Sequence, residues 1–148
     1  MECIMARIIT LSVLLSLLLL VPVVVPGSER ENLDYAQVIS VRAVEQDSEL
    51  WRFDVTVRHN DDGWEHYADA WQVVRPSDGE VLAERMLAHP HVNEQPFTRS
   101  QSGVRIPREL TVVTVHAKCN VHGFGGREVT VDLSRSRGDN YVVIPLNK

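Results

Sequence analysis

Between Leu50 and Arg58 the chain alternates strictly between apolar and polar positions. Trp51, Phe53, Val55 and Val57 fall on one side; Arg52, Asp54, Thr56 and Arg58 fall on the other. A period of two marks a β-strand with one buried face. The same reading predicts strands at 38–44, 67–74, 80–87, 101–106, 110–118, 127–133 and 141–144. In 110–118, Val113, Val115 and Ala117 share one face, and Thr114, His116 and Lys118 the other. Pro76-Ser77-Asp78-Gly79 predicts a tight turn between the third and fourth strands. No stretch keeps a helical period, and there is no internal repeat or low-complexity segment. The pattern therefore predicts an all-β fold, an immunoglobulin-like antiparallel β-sandwich of about 7–8 strands.

In such a sandwich each connection reverses the chain. The loops after the second, fourth and sixth strands then meet at one end. These loops carry His59 and His66, His89 and His91, and Cys119 and His122. The loops at the opposite end carry no histidine. Neutral imidazole and thiolate are the side chains that bind iron, copper and zinc. His59, His66, Cys119 and His122 are the candidate metal ligands, with His89 and His91 as secondary candidates.

The bland readings stand beside these. His59 ends a strand, where it would cap a turn by bonding Asn60 or Asp61, and His66 would be an ordinary half-buried histidine. His89-Pro90-His91 would be a solvated loop pair. Trp64, Phe97 and Phe124 lie in the same loops, where they would form an apolar collar around a ligand or, the preferred reading, cap the open end of the core. Glu94 reads as a solvated carboxylate rather than an acid or base.

The first residues stand apart from this pattern. Positions 8–25 are almost wholly apolar, and Pro26-Gly27-Ser28 then leads into Glu29-Arg30-Glu31. This predicts a signal peptide at 1–27 and a single sandwich domain at 28–148. An uncleaved anchor is the alternative, since the run is near the minimum for spanning a bilayer, although Pro22 interrupts it. Either way the domain is expected to be exported, periplasmic or extracellular, with membrane contact only if the leader is retained. Cys3 precedes the apolar run rather than following it, so it is not placed as a lipoprotein acylation site.

The formal net charge is -5. The leader holds one acid, Glu2, and one base, Arg7, so its removal leaves that balance unchanged. An acidic surface argues against nucleic acid as a partner. Removal would also leave Cys119 as a lone cysteine in an oxidising compartment, expected to be buried, metal-bound or paired between chains.

Cys119-Asn120-Val121-His122-Gly123 resembles the Cys-Asn-x-His-Gly loop of the superoxide reductases and desulfoferrodoxins. His59, then His66-Tyr67, then Trp71, is similar to that family's histidine, short loop, His-Tyr and following Trp. The two blocks cover about half of the mature chain. The resemblance implies an immunoglobulin-like fold and a mononuclear iron with Cys119 as axial thiolate and His59, His66 and His122 as equatorial imidazoles. It also implies inner-sphere reduction of superoxide at an open position, with an external electron donor. The chain departs from the family in three ways. There is no histidine upstream of His59 to match the family's Glu-Lys-His-type segment, the His59 loop is one residue longer, and the rubredoxin-like domain is absent.

Three functions follow as expectations. The first is an exported domain holding a transition metal (iron, or copper or zinc) without established catalysis. The second is a superoxide reductase-like oxidoreductase. The third is an interaction or structural module whose histidines bind nothing.

Overall fold

The computed structural model describes residues 32–147. The expected leader at 1–27 lies outside them. Ten strands follow one another, with no helix among the described residues: β1 Gln37–Asp47, β2 Leu50–Arg58, β3 Ala68–Val74, β4 Val81–Met86, β5 Phe97–Arg105, β6 Val112–Cys119, β7 Gly123–Phe124, β8 Val129–Asp132, β9 Arg137–Gly138 and β10 Tyr141–Ile144. One sheet has the order β5-β2-β1-β10-β9, and the other runs β4-β3-β6 with β7 and β8 both pairing β6. The fold is a β-sandwich, as the alternation predicts.

The two sheets bury their inward faces against each other. Phe53, Val55 and Val57 from β2 meet Trp71 and Val73 from β3 and Val113 and Val115 from β6 in one core, all fully buried. Each such side chain contributes roughly 1.5–3 kcal/mol by leaving water. In β3 the inward phase shifts between Ala68 and Trp71, because a bulge interrupts the pairing with β6 between Ala68 and Ala70.

Two features depart from a simple eight-strand antiparallel path. β10 pairs with β1 in parallel, through Val41↔Tyr141 to Val44↔Ile144. The short strand β9 makes this possible: it turns antiparallel to β10, so one more reversal brings the last strand round to the direction of the first. β7 and β8 both run antiparallel to β6. They are two pieces of one edge strand, broken at residues 125–128. Both departures fall beyond the sixth strand, so the reversal count for the earlier loops holds.

Candidate metal centre

The inward face of β2 runs through Trp51, Phe53, Val55 and Val57, and the next position in that phase is His59, 1% exposed. The inward face of β6 runs through Val113, Val115 and Ala117, and the next is Cys119, also 1% exposed. One strand from each sheet thus ends its core-facing row in a metal-binding side chain, at the same mouth of the sandwich. His66 enters from the β2–β3 loop and His122 from the β6–β7 turn. The side-chain donor atoms of His59, His66 and Cys119 all lie within 4.8 Å of one another. His122 Nδ1 stands 3.2 Å from His66 Nε2 and 3.6 Å from Cys119 Sγ. In a tetrahedral centre with bonds of about 2.0–2.1 Å to nitrogen and about 2.3 Å to sulfur, neighbouring ligand atoms are roughly 3.3–3.6 Å apart.

A fifth polar atom joins them. The main-chain carbonyl oxygen of Asp34 lies 3.2 Å from His59 Nε2, 3.4 Å from His66 Nε2, 3.0 Å from His122 Nδ1 and 3.4 Å from Cys119 Sγ. Not all four groups can donate to that oxygen at once. A carbonyl oxygen has two lone pairs, and four groups surround it. His59 donates its Nδ1 proton to Asp61 Oδ1 at 2.6 Å, so a neutral His59 turns a bare Nε2 lone pair toward the Asp34 oxygen. Two lone pairs face to face repel unless a cation lies between them. A doubly protonated His59 would instead donate to that oxygen, and His122 Nδ1 has a second partner in His66 Nε2 at 3.2 Å. The group whose donor atoms all lie within 4.8 Å is His59, His66 and Cys119, side chains of the kind that bind transition metals; His122 is outside that group and adjoins it through His66 and Cys119.

The loops are tied together from below. Asp61 is buried and accepts from His59 Nδ1, from the backbone N–H of His91 at 2.7 Å and from that of Ala68 at 3.0 Å. Burial raises its pKa, but these hydrogen bonds outweigh it and hold the carboxyl below the usual range. Gln95 accepts from the His59 backbone N–H at 3.0 Å and donates to the His91 carbonyl at 3.1 Å. Asn120 joins the remaining pair of loops. It accepts from Tyr67 N at 2.9 Å and donates to the carbonyls of Trp64 and Glu65 at 3.1 and 3.2 Å.

The secondary candidates sit elsewhere. His91 is buried, its ring stacked on Phe97 at 3.7 Å, with Nδ1 3.9 Å from Asp61 Oδ2. Burial is the main cause that lowers its pKa, and Arg99 and His89 add to it. His89 is exposed. The group within 4.8 Å includes neither. Of the three aromatic residues expected to cap the core, only Phe97 does so. Trp64 is 64% exposed and Phe124 42% exposed, because β7 is an edge strand and Trp64 sits at a loop tip. Glu94 pairs with Arg99 at 3.1 Å.

Asp34, Asp61 and Gln95 were not among the sequence candidates. The reversal count held a clue to the first: residues leading into the first strand lie at the same end as the loop leaving the second.

No family model matches the sequence, and no solved structure matches it. A protein of Halomicrobium mukohataei named "Putative lipoprotein" is 37% identical over 107 residues, which cover 71% of this chain and 52% of that protein. The chain spans about half the length of this relative.

Proposed function

We propose that this is an exported β-sandwich protein that holds one transition-metal ion through His59, His66, Cys119 and His122. Export is supported by the apolar leader and by the relative's name, "Putative lipoprotein". The observation that carries the metal reading is the convergence of His59, His66 and Cys119, whose donor atoms all lie within 4.8 Å of one another, with His122 beside them. A thiolate among imidazoles suits iron, copper or zinc, and disfavours magnesium or calcium.

The test is titration of the purified, metal-free chain with Fe(II), Cu(II) and Zn(II). One equivalent is expected to bind, with a thiolate-to-metal absorption band for iron or copper. Cys119→Ser should remove the band. A folded chain that takes up none of the three ions would leave the interaction or structural module as the surviving reading.

Reduction of superoxide is the second reading. It is supported by the match of Cys119-Asn120-Val121-His122-Gly123 and by the meeting of Cys119 with the three imidazoles that the resemblance names. It requires a position open to solvent, which the exposed His122 and half-buried His66 allow, and an electron donor. Superoxide-dependent bleaching of the thiolate band, restored by a reductant, would promote it over simple metal holding.

A further inference from the structure

We infer that the main-chain carbonyl of Asp34 is a fifth ligand of the metal centre, delivered by a rigid strap that precedes β1. The inference rests on the metal reading above. The Asp34 oxygen stands 3.0–3.4 Å from all four donors. That matches the separation between His122 and its ligand neighbours, 3.2 and 3.6 Å. The Asp34 oxygen is therefore a vertex of the ligand cage. Backbone oxygen is known chemistry as an additional donor beside imidazole and thiolate.

The strap is built to hold that oxygen in place. Asn32 Oδ1 accepts from Asp34 N at 3.0 Å, and Asn32 O from Tyr35 N at 3.3 Å, folding the chain into a turn. Gln37, 4% exposed, donates to the carbonyls of Asn32 and Tyr35 at 2.9 and 3.0 Å. The same side chain accepts from Arg127 N at 2.6 Å. Leu33 O accepts from Asn60 N at 3.2 Å, which anchors the strap beside His59. On its other side the strap runs against the break between β7 and β8. A Cβ added to Gly126 would lie 2.0 Å from the Ala36 carbonyl oxygen, so only glycine lets the backbones approach so closely.

Two consequences follow. An upstream segment without a histidine still supplies an upstream donor, through its backbone. The side chain of Asp34 plays no part, so its identity is free while the strap's anchors are not.

Cobalt(II) alone is the probe, added to the metal-free full-length chain. Its visible bands distinguish four from five ligands, and its thiolate band reports Cys119 separately. Wild type is expected to show a five-coordinate pattern, and Asp34→Ala the same pattern. Gln37→Ala and Gly126→Ala should shift the bands toward the four-coordinate pattern, keep the thiolate band and lose about ten- to a hundredfold in cobalt affinity. An amide-to-ester exchange at the 34–35 linkage weakens the carbonyl without touching any side chain. It should act as the strap variants do, and it serves if those variants do not fold. Bands and affinity unchanged in the strap variants and the ester, with the thiolate band present, would overturn the inference and leave the metal reading standing. Loss of the pattern in Asp34→Ala would also overturn it, by assigning the donor to the carboxylate. Absence of any thiolate band in wild type would remove the metal reading and this inference together.

Discussion

His59 Nδ1 and Asp61 Oδ1 are 2.6 Å apart, with both side chains fully buried. The contact fixes which imidazole nitrogen carries the proton and turns Nε2 toward Cys119 and His66. One carboxylate thus sets the orientation of a candidate ligand while its second oxygen holds the His91 backbone.

Replacing that carboxylate should separate two effects. Asp61→Asn keeps the shape but loses the charge, and is expected to weaken metal binding about ten- to a hundredfold. Asp61→Ala also strands the buried N–H groups of Ala68 and His91. Each stranded group should cost about 1–3 kcal/mol in the metal-free protein. Metal titration and denaturant unfolding of both variants check this, and equal affinity in wild type and Asp61→Asn would contradict it.

Asn120 is the bolt between the His66 loop and the Cys119–His122 turn. Asn120→Ala removes three hydrogen bonds, each contributing about 0.5–1.5 kcal/mol. The expected result is a measurable drop in unfolding free energy and a lower affinity for metal, although the side chain is not itself a candidate ligand. Amide exchange at Tyr67 should also quicken in the variant.

Metal should stabilise the folded chain. At a free concentration one hundred times the dissociation constant, binding the native state alone contributes about 2.7 kcal/mol. The melting temperature is therefore expected to rise with added zinc. In Cys119→Ser the rise should shrink, while the metal-free variant still folds, since serine fits the space of the thiol. A melting temperature insensitive to zinc in wild type would contradict the centre.

Stability of the metal-free protein should fall between pH 7 and 5. Burial is the main cause lowering the pKa of both His91 and His116; Arg99 and His89 add to it at His91, and Glu128 opposes it at His116. The unfolded chain takes these protons near about pH 6.5, whereas the folded chain accepts them only at lower pH. The unfolded state thus binds more protons across this window, and stability declines as pH falls. Asp61, held below its ordinary value, contributes stability that is present above about pH 4 and lost below it. His91→Phe, which keeps a ring against Phe97, should flatten the upper part of the profile. Parallel profiles for wild type and His91→Phe would contradict the assignment.

The alternation in Leu50–Arg58 and 110–118 was enough to predict strands, their inward faces and a sandwich. The reversal count then placed three loops at one end, because two-sided burial leaves a strand little freedom but to cross and return. Short or polar pieces escaped it. β9 is two residues long and has no period to read, so the parallel pairing of β10 was not visible. β5 begins at Phe97, ahead of the predicted 101. It is an edge strand with few buried positions, and the polar run Thr98-Arg99-Ser100 gives no apolar alternation.

By itself, then, the order of residues determined which faces are apolar and which side chains carry nitrogen and sulfur near the strand ends. Periodicity and composition are local properties, read one segment at a time. Only the tertiary structure decided that His59 and Cys119 continue opposing core rows to the same mouth, that Asp61, Gln95 and Asn120 bind the loops together, and that the carbonyl of Asp34 lies within 3.4 Å of all four candidate side chains. A backbone oxygen is the same in every residue, so its role comes from where packing puts it.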